Sequence, residues 1–271
     1  MTRGRTNYPV PLSIALLLVA VSLSQGQART QGQEIRVAAA SDLQFAMEDL
    51  AAHFEKQTGM KVDVTYGSSG NFFSQIQNGA PFDIFFSADV DYPRKLEAMG
   101  LGAPRSLFVY GVGRLVIWMP ADAKEDIAQE GWKTLLSPGV QKISIADPEH
   151  APYGRAAVAA LKKAGVYQQV KAKLVYAENI SQAAQFVQSG NAQAGILAKS
   201  LAASGAMQSG KRWDVPVDLY PAIEQGAILL RSASNNAKAK SFLEFVRGPA
   251  GRSALDQYGF GPAASGSTGA Q

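Results

Sequence analysis

Hydroxyl and amide side chains stand at four junctions between an extended apolar run and a helix-like segment. Ser41 follows "VAAA", and the pair Ser68 and Ser69 follows "VTYG", while "DPEHAPYGRAAV" and "YAENISQAAQF" contain the other two junctions. The first N–H groups of a helix have no intrahelical partner and carry the positive end of the helix dipole. Such junctions can hold an anion, although each one taken alone also fits an ordinary helix N-cap.

Residues for catalysis are scarce by comparison. Of the two histidines, His53 falls inside a predicted helix and His150 lies in "DPEHAP", and neither has a metal-ligand partner at a useful spacing. The segment "GSSG" lacks the residue pattern of a hydrolase nucleophile elbow. We therefore interpret the chain as a binding protein rather than an enzyme and expect no cofactor. A secreted serine hydrolase that uses Ser69 is the alternative from another class.

The elements that position these junctions follow a βαβ pattern. Extended runs such as "EIRVAAA", "KVDVTYG" and "DIFFSA" alternate with segments of helical period, which predicts parallel strands with helices on their faces. Gly59 is predicted to end the first helix as its C-cap. Near the carboxyl end, "NNAKAKSFLEFVRGPAGRSALDQYGF" predicts two further helices, and the tail of 263–271 is predicted to be disordered.

One long extended run suggests that the chain forms two lobes. Residues 106–120, "SLFVYGVGRLVIWMP", are interrupted by Gly111 and Gly113, as expected of a strand that leaves one sheet and enters another. Residues 218–230, "DLYPAIEQGAILL", are the candidate for the returning strand. The alternative is that both segments are core strands of a single sheet.

The amino terminus has the features of an export signal. Arg3 and Arg5 precede the apolar run "VPLSIALLLVAVSLS", and small residues at Gly26 and Ala28 predict cleavage near Ala28. A membrane anchor is the alternative, but the run is shorter than the roughly 20 apolar residues that span a bilayer. Without Arg3 and Arg5, 24 basic residues stand against 22 acidic ones, so the net charge of +2 gives no reason to expect nucleic-acid binding. The absence of cysteine excludes disulfides, thiolate metal sites and a lipidated cysteine.

Three segments carry a resemblance to a known family. "VAAASDLQFAMEDLAAHFEKQTGMKV", "YGSSGNFFSQIQNGAPFDIFFSAD" and "ADPEHAPYGRAAVAAL" resemble the periplasmic molybdate-binding proteins, the substrate-binding components of molybdate ABC importers. The similarity runs in order from about Ile35 to about Phe260. It implies an α/β protein with the two-lobed type II periplasmic binding fold, in which each lobe is a mostly parallel sheet flanked by helices and two hinge strands join the lobes.

The resemblance also implies a ligand and a set of contacts. The molybdate oxyanion would be held in the inter-lobe cleft without charged side chains, by hydroxyl and backbone N–H groups of Ser41 and Ser69. Tyr153 and the N–H of Ile180 would supply two further contacts. Many members have a tyrosine where this chain has Ala198, and the phenol of Tyr153 is the candidate to replace it. Asp42 directly follows Ser41, so its side chain must point away from a bound dianion, or its negative charge must be offset.

These observations combine into one prediction of function. A periplasmic receptor binds molybdate and tungstate and delivers them to an ABC permease in the inner membrane; the chain is a monomer. The predicted parts are a signal peptide at 1–28, lobe one at 32–112 with 223–262, and lobe two at 113–222. A receptor of the same fold for sulfate or another tetrahedral oxyanion is the alternative within binding proteins, because selectivity between such anions rests on the size of the cavity.

Overall fold

The fold is described from a computed structural model, which describes residues 1–2 and 34–262. The predicted signal peptide beyond residue 2 and the predicted tail of 263–271 lie outside the described residues. No helix in the described part of the chain is long and apolar enough to cross a membrane.

The first sheet has five strands in the order β2-β1-β3-β10-β4. Four of its strands run in one direction, because β1 pairs in parallel with both β2 and β3, and β4 lies beyond the antiparallel β10. The strands are β1 (Ile35–Ala40), β2 (Val62–Gly67), β3 (Ile84–Ser87), β4 (Phe108–Gly113) and β10 (Ile223–Leu229).

The second sheet repeats this arrangement in the order β7-β6-β8-β5-β9, with β5 as its single reversed strand. Its strands are β5 (Leu115–Met119), β6 (Ile143–Ala146), β7 (Leu174–Ala177), β8 (Ala194–Ala198) and β9 (Lys211–Asp214). The predicted fold class is thereby confirmed, since two sheets with four of five strands in one direction form two separate lobes.

The helices flank both sheets and bury their apolar faces in two core clusters in the first lobe and one in the second; Phe72, Phe85 and Leu96 lie in the smaller cluster of the first lobe. Phe54, Phe86 and Phe242 lie in the larger cluster of the first lobe, and Trp118, Leu161 and Leu197 lie in the cluster of the second lobe. Within residues 34–262 the α-helices are α1 (Gln44–Thr58), α2 (Ser69–Gln77), α3 (Asp91–Ala98), α4 (Ile127–Glu130), α5 (Pro152–Lys163), α6 (Tyr167–Val170), α7 (Ile180–Gln188), α8 (Lys199–Ala202), α9 (Ala237–Arg247) and α10 (Pro249–Gln257).

Two sequence predictions about local structure are confirmed. Gly59 ends α1 in the left-handed conformation, with φ of 71° and its N–H donating to the carbonyl of Glu55 at 2.8 Å. The predicted pair of helices near the carboxyl end is α9 and α10, and Gly248 separates them.

The chain changes sheet where the glycine-interrupted run predicted it. β4 belongs to the first sheet and β5 to the second, with Arg114 alone between them. The return differs from the prediction of a strand over 218–230. A 3-10 turn occupies Val217–Leu219, and β10 begins only at Ile223. Pro216 and Pro221 account for the difference, because proline has no N–H to give to a sheet.

Candidate anion-binding site

The four junctions singled out in the sequence lie at the carboxyl ends of strands. Ala40 pairs with Gly67, so Ser41 and Ser68 directly follow neighbouring positions of β1 and β2. Ala146 of β6 pairs with Ala177 of β7 in the second sheet. The loop to α5 and the loop to α7 follow this second pair. Carboxyl ends of strands are where ligands bind in open α/β sheets.

Most of these junctions do not use their side chains as helix caps. Asn179 does cap α7, because its Oδ1 accepts from the N–H of Gln182 at 3.0 Å. Ser68 is the N-cap residue of α2 but makes no capping bond. Ser69 lies one position further on, and its Oγ accepts from the N–H of Ala88 at 2.9 Å. The ordinary capping interpretation therefore fails for both serines of this pair.

Three of the predicted site residues are buried at helix N-termini and carry N–H groups with no hydrogen bond inside residues 34–262. These are Ser69 at the start of α2, Tyr153 in the first turn of α5 and Ile180 at the start of α7. Each helix has 9 to 12 residues, so its dipole adds positive potential at this end. Two lobes therefore offer buried hydrogen-bond donors that an anion can accept.

Direct contacts bring two of the predicted site residues together across the lobes. The N–H of Ser181 donates to Ser41 Oγ at 3.3 Å, and Ser181 Oγ donates to the carbonyl of Ser41 at 2.9 Å. Ser41 Oγ in turn donates to Asn179 Oδ1 at 3.3 Å. Ser41 thus lies against the residues on both sides of Ile180.

Ser69 approaches the second lobe through its neighbour. The N–H of Gly70 donates to the carbonyl of His150 at 2.9 Å, and His150 lies just before α5, which carries Tyr153. Among the hydrogen bonds of residues 34–262, none joins Ser69 directly to Ser41, Tyr153 or any histidine side chain.

The phenol of Tyr153 belongs to a buried polar group beside the crossing strands. Gln225 Nε2 donates to Tyr153 Oη at 3.0 Å and to Asp42 Oδ2 at 2.6 Å, while Gln225 Oε1 accepts from the hydroxyl of Tyr110 at 2.7 Å. Burial, and then the nearby Asp42, raise the pKa of Tyr153 well above its usual range. Tyr153 Oη therefore stays protonated and keeps one proton to donate.

A glycine makes this polar group possible. A Cβ added to Gly113 would lie 2.2 Å from Tyr153 Oη and 2.7 Å from Gln225 Nε2. The glycine that interrupts the crossing strands therefore leaves space for a contact between the lobes.

Asp42 is the carboxyl group closest in sequence to the predicted contacts. It is 1% exposed, and within residues 34–262 no ion pair includes it. Burial raises its pKa from 3.8 to about 7, and the hydrogen bond from Gln225 opposes this shift only in part. A protonated Asp42 would carry no charge to repel a dianion.

A charged contact closes one rim between the lobes. Arg155 of α5 donates to Asp89 Oδ2 at 2.5 Å, and its guanidinium lies over the ring of Tyr92, 5.7 Å from the centroid. A cavity of about 390 Å³ adjoins this ion pair and is lined by residues 88–91, 221–224, Arg94, Pro152, Arg155 and Ala156. None of the four predicted site residues lines it.

Sequence reasoning missed several residues of this region. Gln225, Ser181 and Gly70 each make a contact between the lobes, yet each looks like an ordinary strand or helix residue in the sequence. The one local signal was that Ser181 is a hydroxyl residue next to Ile180. In the described part of the chain, no group of three or more histidine, aspartate or glutamate side chains is arranged to hold a metal ion.

Comparison with known proteins identifies relatives over nearly the whole described chain. Residues 35–261 match the family model of bacterial extracellular solute-binding proteins. The molybdate-binding protein ModA of Azotobacter vinelandii is 41% identical over 232 residues, which cover 85% of this chain and 91% of that protein. ModA of Rhodobacter capsulatus is 38% identical over 227 residues, with coverages of 84% and 88%.

A solved structure agrees with these relatives. The periplasmic molybdate-binding protein of Azotobacter vinelandii superposes with a TM-score of 0.79 and 34% identity, covering 85% of this chain and all of that one. The chain therefore belongs to the bacterial extracellular solute-binding protein family, in the branch that contains the molybdate-binding proteins.

Proposed function

We propose that this protein is a periplasmic oxyanion receptor, which binds molybdate and tungstate between its lobes and delivers them to an ABC importer in the inner membrane. It carries out no catalysis. The observation that carries the proposal is the set of unpaired N–H groups of Ser69, Tyr153 and Ile180, which both lobes contribute. The relationship to molybdate-binding proteins supports the choice of anion.

The proposed contacts are the hydroxyl and N–H groups of Ser41 and Ser69, together with Tyr153 and the N–H of Ile180. Molybdate is a tetrahedral dianion with acceptor oxygens and no proton at neutral pH, so a site made only of donors can satisfy it. Sulfate has the same shape but is smaller. A rigid ring of donors that fits molybdate leaves bonds to sulfate unmade, so we expect molybdate and tungstate to bind more tightly.

The remaining parts of the proposal concern export and organisation. The chain is exported and cleaved near Ala28, and it acts as a monomer that does not bind nucleic acid. Lobe one comprises residues 32–112 with 223–262, and lobe two comprises residues 113–222. Membership in an extracellular solute-binding family supports export, and the passage from β4 to β5 at Arg114 supports the first boundary.

Calorimetric titration with molybdate, tungstate, sulfate and phosphate tests the function. We expect molybdate and tungstate to bind with similar affinity and more tightly than sulfate. Tighter binding of sulfate would overturn the named ligand, and hydrolysis of an ester that depends on Ser69 would overturn the class of protein. Ser41→Ala and Ser69→Ala should weaken molybdate binding, whereas Ser74→Ala, on the exposed face of α2, should not.

A proline substitution tests the N–H of Ile180 by itself. Ile180 is the first residue of α7, where proline fits a helix, and Asn179 before it is extended, with φ of −146° and ψ of 174°. Ile180→Pro therefore removes a donor without breaking the helix. The matched control Ile180→Ala also removes the buried side chain but keeps the N–H. Equal molybdate affinities of these two variants would exclude this N–H as a contact.

A further inference from the structure

The two serines at the start of α2 differ in a way that their sequence does not reveal. Ser69 Oγ accepts from the N–H of Ala88 at 2.9 Å. Ser68 is only 4% exposed, and its Oγ is buried with no hydrogen-bond partner in the described part of the chain. A buried hydroxyl without a partner is unfavourable, so this position requires an explanation.

Helix capping does not provide that explanation. As the N-cap residue, Ser68 would be expected to accept a hydrogen bond from the N–H of Gly70 or Asn71. It makes no such bond, and the N–H of Gly70 donates instead to the carbonyl of His150 on the other lobe. The hydroxyl of Ser68 is therefore left at the helix N-terminus without the partner that a capping serine has.

The surroundings of Ser68 are those of the proposed site. It precedes Ser69 and follows Gly67, which pairs with Ala40 immediately before Ser41. Ser68 is the N-cap residue of α2, and the next N–H along the chain, that of Ser69, is also unpaired within residues 34–262. The Ser68 hydroxyl has a proton to donate and no acceptor for it. A tetrahedral oxyanion carries only acceptor oxygens, so it can supply the missing partner.

We propose that the Ser68 hydroxyl is an additional donor to the bound oxyanion, so that α2 contributes both of its serines. The inference rests on the proposed function and adds a contact to it. Each additional donor improves the match to a proton-free dianion. Ser68 therefore contributes to the affinity for the oxyanion.

The substitution Ser68→Ala separates this role from a structural one. It removes no hydrogen bond within the protein, so the melting temperature without ligand should be unchanged or higher. The dissociation constant for molybdate, measured by calorimetry, should rise on the order of tenfold or more, as expected for loss of a hydrogen bond to a charged group. Ser69→Ala should instead lower both stability and affinity, because it also breaks the bond from Ala88.

Ser74→Ala on the same helix is the matched control and should leave both quantities unchanged. Ser68→Cys keeps a side chain of similar shape with a weaker donor, so its affinity should fall between those of the parent and Ser68→Ala. Parental molybdate affinity in both Ser68 variants would overturn the inference, whether or not stability changed. If the parent protein binds none of the four oxyanions, the proposed function fails and this inference fails with it.

Discussion

The buried carboxyl group of Asp42 should make the stability of this protein fall as the pH rises. Its Oδ2 accepts from Gln225 Nε2 at 2.6 Å, but its Oδ1 is buried with no hydrogen-bond partner in residues 34–262. Burial is the largest cause that raises its pKa from 3.8 to about 7. The substitution Asp42→Asn keeps an oxygen that can accept from Gln225 and removes the ionisable group.

The sign and size of the effect follow from proton binding. The folded protein holds the Asp42 proton up to a pH of about 7, whereas the unfolded chain releases it near its ordinary pKa of 3.8. The stabilisation from the proton on Asp42 is fully present below the pKa that Asp42 has in the unfolded chain. It is lost as the pH rises through the pKa that Asp42 has in the folded protein. A shift of about three pKa units corresponds to about 4 kcal/mol in the free energy of unfolding, lost between about pH 4 and pH 8.

Urea unfolding of the parent and Asp42→Asn across this pH range measures the effect. The parent should lose about 4 kcal/mol more stability than the variant as the pH rises. Asp83→Asn is the control, because Asp83 is also buried but accepts from the N–H of Arg36 at 2.8 Å. That variant should keep the pH dependence due to Asp42. The reasoning is refuted if the parent and Asp42→Asn lose the same stability over this range.

Three further substitutions test closure and binding. Gly70→Ala places a Cβ 2.6 Å from the carbonyl oxygen of His150, so molybdate affinity should fall about tenfold or more. The bound variant should also have a larger radius of gyration in X-ray scattering than the bound parent. Parental affinity together with a parental radius would contradict a close contact between the lobes at Gly70. Asp89→Asn and Arg155→Gln should each weaken molybdate binding by less than about 1 kcal/mol, because their ion pair is partly exposed. If the two effects simply add in the double variant, Asp89 and Arg155 are not coupled in molybdate binding. Tyr153→Phe leaves one Gln225 N–H unpaired and should cost about 1–3 kcal/mol of unfolding free energy. It should also weaken molybdate binding, and unchanged affinity in calorimetry would limit the hydroxyl to a structural role.

Local sequence signals predicted much of the fold. The alternation of extended and helical segments predicted strands followed by helices, and Gly59 marked the end of α1 because glycine readily adopts a positive φ. The glycines in 106–120 marked the change of sheet at Arg114. These features depend on residues close in sequence, so the chain itself is enough to infer them.

The sequence indicated the strand ends and helix starts of the candidate site but not its hydrogen bonds. Ser41, Ser69, Tyr153 and Ile180 all follow strand ends or begin helices, which the sequence pattern indicates. The sequence did not distinguish the hydroxyl of Ser69, which accepts a hydrogen bond, from that of Ser68, which has no partner. That distinction depends on Ala88, which lies on a different element.

The sequence by itself determined which elements form and where the chain passes between lobes, because propensity, periodicity and turn chemistry act over a few residues. Tertiary structure alone decided which polar groups meet. Asp42 and Gln225 are 183 residues apart, and a shift in the register of β10 between Gln225 and Gly226 occurs at their contact. Burial of Asp42, and the raised pKa that follows, arises only when both lobes pack around it, since desolvation depends on distant neighbours and not on the local sequence.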